Sequence, residues 1–140
     1  MDTISLPITT LLTCGLAYLL LALSWTVIKG RRSLSLSTGD GGDSMMERRI
    51  RAQGNLAEYA PIFVILIALA ELQGGNAVVV SILALVFFVG RLAHGYAFAF
   101  TEKNMKLRVR GMMATLFGIS ATSLYNLALH KPCGRASLQE

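Results

Sequence analysis

Arg51-Ala52-Gln53-Gly54-Asn55-Leu56-Ala57-Glu58-Tyr59-Ala60-Pro61 runs without a break into Ile62-Phe63-Val64-Ile65-Leu66-Ile67-Ala68-Leu69-Ala70. A cation, amides and a carboxylate thus open a segment that is otherwise wholly apolar. At helical pitch Arg51, Asn55, Glu58 and Tyr59 fall at i, i+4, i+7 and i+8, which puts a guanidinium, an amide, a carboxylate and a phenol on one face within roughly 10 Å of rise. Such a face can grip a small zwitterion. The apolar run behind it makes no sense as a solvated surface, so the polar face belongs at a membrane boundary.

The rest of the chain agrees. Of its 140 residues 54% are hydrophobic and only 15% charged, and a mean hydropathy of +0.56 is too high for an ordinary soluble domain of this size. Four spans are expected, at about residues 4–28, 46–72, 77–100 and 108–130, the apolar cores of the second and fourth being 56–72 and 111–129. Each is long enough to cross a bilayer as a helix. The fold class is therefore all-α, a single integral membrane four-helix bundle. The first span is uncharged from Thr3 to Ile28, roughly 37 Å as a helix against a hydrocarbon core of about 30 Å. It has no basic leader and no clear cleavage site, and reads as a retained span.

Basic residues predict orientation. Lys29, Arg31, Arg32, Arg48, Arg49 and Arg51 flank the first connection and Lys103, Lys106, Arg108 and Arg110 the third, while the second, 71–76, has none. The positive-inside rule then turns the first and third connections to the cytoplasm, against a slight opposing bias from Lys131 and Arg135. The short, charge-poor second connection points to a bacterial inner membrane. Within the first connection, 33–44 is rich in Gly, Ser and Asp and predicts a mobile loop, whereas Gln73-Gly74-Gly75-Asn76 predicts a tight turn between antiparallel helices. A net charge of +5 is explained by topology and by anionic lipid headgroups, and no nucleic-acid motif accompanies it. Cys14 and Cys133 have no spacing suited to a disulfide framework or a metal: the first reads as a small core residue, the second as an idle thiol.

Ionisable side chains inside spans are costly and tend to face the bundle interior. Glu58, Arg91 and His94 qualify. Arg91, His94 and Phe98 fall at i, i+3 and i+7, and Gly90 and Gly95 leave room for another helix. Arg91 either neutralises Glu58 as a structural intramembrane charge or serves a ligand; His94 is open to packing, ligand contact or proton transfer. Tyr125 and Asn126 read as interhelical glue. Arg108 and Arg110 open the fourth span, where each can obey the topology rule or turn inward toward an anion such as a thiolate.

Together, the RR pair after the first span, RAQGNLAEYAP, GRLAHGYAF in the third and RVRG opening the fourth resemble the MAPEG family, the membrane-associated proteins in eicosanoid and glutathione metabolism. The strongest element is RxxxNxxEYxP, met by Arg51, Asn55, Glu58, Tyr59 and Pro61. The resemblance implies a homotrimer that binds glutathione between subunits near the cytoplasmic face, through Arg51, Asn55, Glu58 and Tyr59 of one subunit and Arg31 and Gln53 of the next. It implies that Arg108, or alternatively Arg110, stabilises the thiolate. In glutathione-using members two tyrosines of the third span contact the peptide; here they are His94 and Phe98. His94 can still hydrogen-bond glutathione, but Phe98 cannot. The activity implied is conjugation of glutathione, as co-substrate and with no tightly bound cofactor or metal, to a lipophilic small molecule entering from the membrane lipids, or a reduction by glutathione. The rival readings are a catalytically silent lipid-binding or scaffolding relative and, less well matched because the first span lacks a carboxylate, a small multidrug transporter.

Overall fold

A computed structural model describes residues 5–101 and 105–130; Lys103, Lys131, Cys133 and Arg135 lie outside the described residues. Four helices follow one another: α1 Pro7–Ser33, α2 Ser44–Leu72, α3 Ala77–Phe100 and α4 Met105–Leu129. All four are long and apolar enough to cross a membrane. Large apolar side chains such as Leu11, Leu21, Ile65, Val89, Phe117 and Leu124 point outward, as a lipid-facing exterior requires. The helices pack as a bundle in which α2 and α3 form the centre and α1 and α4 stay apart among the described residues.

Three helices begin or end beyond their apolar cores. α1 runs on to Ser33, with Arg31 and Arg32 in its last turn, where cations favour the negative end of the helix dipole and reach back toward the interface. α2 begins at Ser44, because Asp43 caps it by accepting from the Met46 N–H at 2.6 Å and Glu47 suits the first turn. α4 begins at Met105. Hydropathy marks the membrane core of a helix, while caps and charges fix its ends.

The connection 34–43 is a string of turns, with Ser35, Gly39, Gly41 and Gly42 at positive φ. The tight turn expected at 73–76 is present: Gly74 takes φ +73°, and the Gly74 and Gly75 N–H groups donate to Glu71 O and Ala70 O, closing α2 in the manner of a Schellman motif. Asn76 then caps α3 by accepting from Val78 N and Val79 N.

Between helices in lipid, water expulsion contributes little, so close packing and hydrogen bonds hold the bundle. Phe63 and Phe87 stack at 3.8 Å with their planes 6° apart in the α2–α3 seam. Gly111 brings α4 so near α3 that a Cβ there would lie 2.8 Å from Gly90 O and from His94 N. Asn126 donates to Leu66 O at 2.9 Å and accepts from Gln73 Nε2 at 2.8 Å, and the Tyr125 hydroxyl accepts from Asn76 N. Both residues thus act as glue. Glu71 ties the same end together from α2 to α1: its carboxylate accepts from the N–H groups of Ile8 and Thr9 at 3.1 and 2.7 Å and from the Thr9 hydroxyl at 2.6 Å.

Candidate functional site

The antiparallel arrangement gathers the first turns of α2 and α4 and the last turn of α3 at one end of the bundle. There Glu47, Arg48, Arg51, Asn55, Phe98 and Arg108 line a polar cavity of about 480 Å³. Beside it an apolar cavity of about 340 Å³ is lined by Asn55, His94, Phe98, Arg108, Val109 and the methionines 105, 112 and 113. Asn55, Phe98 and Arg108 belong to both linings. They form the partition between a charged lobe and a greasy one.

Arg108 is held at this partition by an aromatic face. Its guanidinium carbon lies 4.1 Å from the centroid of the Phe98 ring, a cation–π distance. Behind it, the buried His94 sits in contact with α2, α3 and α4 at once. Its Nδ1 lies 3.2 Å from Arg108 O and its Nε2 3.4 Å from Asn55 Nδ2. The His94 and Phe98 rings are 4.8 Å apart. Arg48 is anchored at the rim, donating from Nε to Ser44 O and from Nη1 to Thr101 O.

Of the residues singled out in the sequence, the cavities bring together Arg51, Asn55, His94 and Arg108. Arg110 is exposed and lines neither cavity. Glu58, expected to face the bundle interior, instead lies exposed on the outer side of α2. A helical step of three beyond Asn55 carries it round to the face that the other helices of the chain leave uncovered. Tyr59 is half-buried against the core, with the Arg91 guanidinium 5.7 Å from its ring centroid. Arg91 is buried as expected, yet it is not paired with Glu58: Nη1 donates to Thr115 Oγ1 at 3.3 Å, and Nε and Nη2 have no hydrogen-bond partner among the described residues. Gln53 turns toward α1 and donates to Ser24 Oγ at 2.9 Å. Arg31 lies at the end of α1 and does not line the cavities. Cys14, expected in the core, is exposed on α1.

Sequence reasoning missed Glu47, Arg48 and the methionines. The signal for the first two was present, since 47, 48, 51 and 55 fall on one helical face. Met112 lies one turn after Arg108, but apolar residues in a span carry no mark that separates lining from lipid contact. A third cavity, of about 350 Å³, lies between α1 and α3 at the opposite end. Ile8, Leu12, Gly15, Ala84 and Phe88 line it together with Ser81, and it brings no charged group to any ligand.

The profile of the MAPEG family matches residues 9–128, which embraces all four helices from the first turn of α1. The chain belongs to the MAPEG family. Among its relatives, inner membrane protein YecN of Escherichia coli K12 is 35% identical over 111 residues, covering 79% of this chain and 83% of the relative. YecN of Escherichia coli O6:H1, strain CFT073, matches to the same extent. With four helices able to span, this MAPEG protein is a multi-pass integral membrane protein.

Proposed function

We propose that this MAPEG protein is a glutathione transferase of the membrane, joining the thiol of glutathione to a lipophilic electrophile or reducing such a substrate with it. The observation that carries the reading is the two-lobed cavity with Arg108 at its partition. Among the described residues the charged lobe is lined by the guanidiniums of Arg48, Arg51 and Arg108 and the carboxylate of Glu47. Guanidiniums beside a carboxylate complement a ligand that carries both carboxylates and an ammonium. The neighbouring lobe, rich in methionine, suits an apolar partner because thioether side chains are flexible and polarisable.

The chemistry follows from position. Arg108 favours the thiolate over the thiol, the thiolate sulfur forms a bond to the electrophilic carbon, and the leaving group departs with the electron pair of the broken bond. Geometry favours Arg108 over Arg110 for this role, since only Arg108 lines both lobes. Glu58 and Tyr59, with Arg31 and Gln53, complete the glutathione site between subunits of a homotrimer. An exposed carboxylate in a span supports that assembly, since lipid cannot satisfy it. The inner membrane, with the cavity toward the cytoplasm, is the location in keeping with the basic residues at this end and with the name of the relatives.

Phe98 favours a second reading. It offers no hydroxyl where glutathione-using relatives are expected to offer one, and the apolar lobe alone can hold a lipid in a silent relative. Calorimetry of glutathione binding to detergent-purified protein, compared with Arg51→Ala and followed by conjugation to an aromatic chloride, separates the two. Binding lost in Arg51→Ala together with turnover supports the transferase; no binding at millimolar glutathione transfers the assignment to the lipid binder.

A further inference from the structure

We infer that His94 is a positioning residue that clamps Arg108 from both its ends, not a ligand to the thiol substrate. The inference rests on the reading of the cavity as a thiolate site, and it assigns His94 a task within it.

The hydrogen-bond arithmetic is closed. A backbone carbonyl can only accept, so the contact between His94 Nδ1 and Arg108 O, 3.2 Å long, requires the proton on Nδ1. The neutral ring then has its lone pair on Nε2, the nitrogen that faces the Asn55 amide at 3.4 Å. Asn55 Nδ2 donates there. Both ring nitrogens are spent inside the chain, and the side chain is 3% exposed, which leaves no donor or acceptor for a peptide ligand.

The contact lies where two helices come closest. Gly111, three residues after Arg108, abuts the His94 backbone so tightly that a Cβ would sit 2.8 Å from His94 N and 3.0 Å from His94 Cβ. Nδ1–H therefore fixes the first turn of α4 at a point where it has almost no room to slide. The other end of Arg108 is fixed through Phe98. One helical turn along from His94, the Phe98 ring packs against the imidazole at 4.8 Å and presents its face to the guanidinium at 4.1 Å. Backbone and head group of Arg108 are thus both referred to the same imidazole. Asn55, which belongs to both lobes, is the third point held.

The variants follow from the ring atoms. His94→Asn keeps an amide donor near the Nδ1 position and can still serve Arg108 O; His94→Phe keeps the aromatic bulk and loses both nitrogens. The first readout needs no thiol: ¹⁵N spectra of the histidines in detergent-solubilised protein, and the Arg108 Nε–H resonance shifted by the Phe98 ring. The Nδ1–H tautomer is expected in the wild type, and the ring shift of Arg108 is expected to fall in both variants, since His94→Phe releases its backbone and His94→Asn removes the ring that supports Phe98. An Nε2–H tautomer, or an Arg108 signal unmoved in both variants, overturns the clamp. The second readout is kinetic, with glutathione and an aromatic chloride. In His94→Phe the clamp predicts a fall in kcat of about 10- to 100-fold, as for ångström-scale misplacement of a reacting group, with KM for glutathione changed less than threefold and the thiolate absorbance of the bound complex weakened. His94→Asn, which keeps the tie to Arg108 O and loses the support for Phe98, is expected to recover part of that loss. A rise in KM with kcat unchanged would make His94 a ligand and end the inference. If the wild type neither binds glutathione nor turns over, the transferase reading fails, and the tautomer and the Arg108 signal still decide whether His94 clamps. Melting curves of each variant identify one that has simply failed to fold.

Discussion

Arg108 is an exposed arginine in the first turn of a spanning helix, a place where the topology rule alone is reason enough for a cation. Its stacking on Phe98 and its share in both lobes are the observations on which the proposed thiolate role rests. A free thiol has a pKa of about 8.5, and a depression of about two units is worth roughly 2.7 kcal/mol. Replacing Arg108 by Ala is therefore expected to slow conjugation about 25-fold at pH 7 and about a hundredfold at acidic pH, below the lowered pKa. The sign of the pH dependence follows. Without the cation the thiol ionises at higher pH, so the variant regains rate as pH rises, and the plateau of its pH–rate profile moves to the alkaline side of the wild type's. A uniform loss across the whole pH range would remove thiolate stabilisation from the role of Arg108. The same treatment of Arg110, which lines neither lobe, is expected to leave the profile in place. At this scale the sequence was half legible. Burial of Arg91 and His94 followed from where they sit in an apolar span, but their partners did not, because Thr115, Arg108 and Asn55 meet them only through the crossing of three helices. Glu58 deceived for the same reason: periodicity groups it with Asn55 yet cannot say which part of a wide face the neighbours cover.

At the scale of the helix, the spans were readable because each apolar run falls within the length that crosses a bilayer, and the turn at 73–76 because two glycines followed by an asparagine admit few alternatives. The cap on α1 was not readable. Glu71 lies sixty-odd residues from the N–H groups of Ile8 and Thr9 that it binds, so only the antiparallel packing of α2 on α1 brings them together. A carboxylate at a helix N-terminus satisfies free donors and opposes the dipole. Glu71→Ala should lower stability by about 1–2 kcal/mol and increase hydrogen exchange at the Ile8 and Thr9 amides ahead of any change in the cavity residues; unaltered protection there would mean that water or headgroups cap α1 equally well. The α3–α4 contact gives the opposite kind of test. Gly111→Ala forces a methyl against Gly90 O and the His94 backbone, neither of which can rotate away, and overpacking of this sort costs about 1–3 kcal/mol. Gly54 sits in a helix with nothing of its own chain within 4 Å of its missing Cβ, so in the dissociated subunit Gly54→Ala should be neutral or stabilising by up to about 1 kcal/mol. Thermal melts of the two variants read the contrast directly, and equal melting points would contradict the close approach of α4.

The single chain is incomplete as a membrane object. On the outer side of α2 it exposes Ala57, Glu58 and Pro61, and Pro61 has no N–H to give the carbonyl of Ala57. Hydrocarbon can satisfy neither that carbonyl nor the carboxylate. In the homotrimer proposed above, a second copy against this face would supply what lipid cannot and would bring Arg31, which within its own chain reaches neither lobe, to its neighbour's site. In a cyclic assembly each site then combines Arg51 of one subunit with Arg31 of its neighbour. This makes a prediction that no monomeric site can share. Arg51→Ala and Arg31→Ala are each expected to abolish most glutathione-dependent turnover when expressed alone. When the two are co-expressed and assemble at random, a site is intact whenever a subunit with its own Arg51 meets a neighbour with its own Arg31, which happens at about one interface in four. Co-purified mixtures should therefore recover about a quarter of wild-type activity, and subunits mixed after purification should recover it only as fast as they exchange. Activity that stays at the level of the separate variants would put Arg31 and Arg51 in one chain's site, or Arg31 outside the site altogether, and would leave the exposed face of α2 to be covered by some other contact.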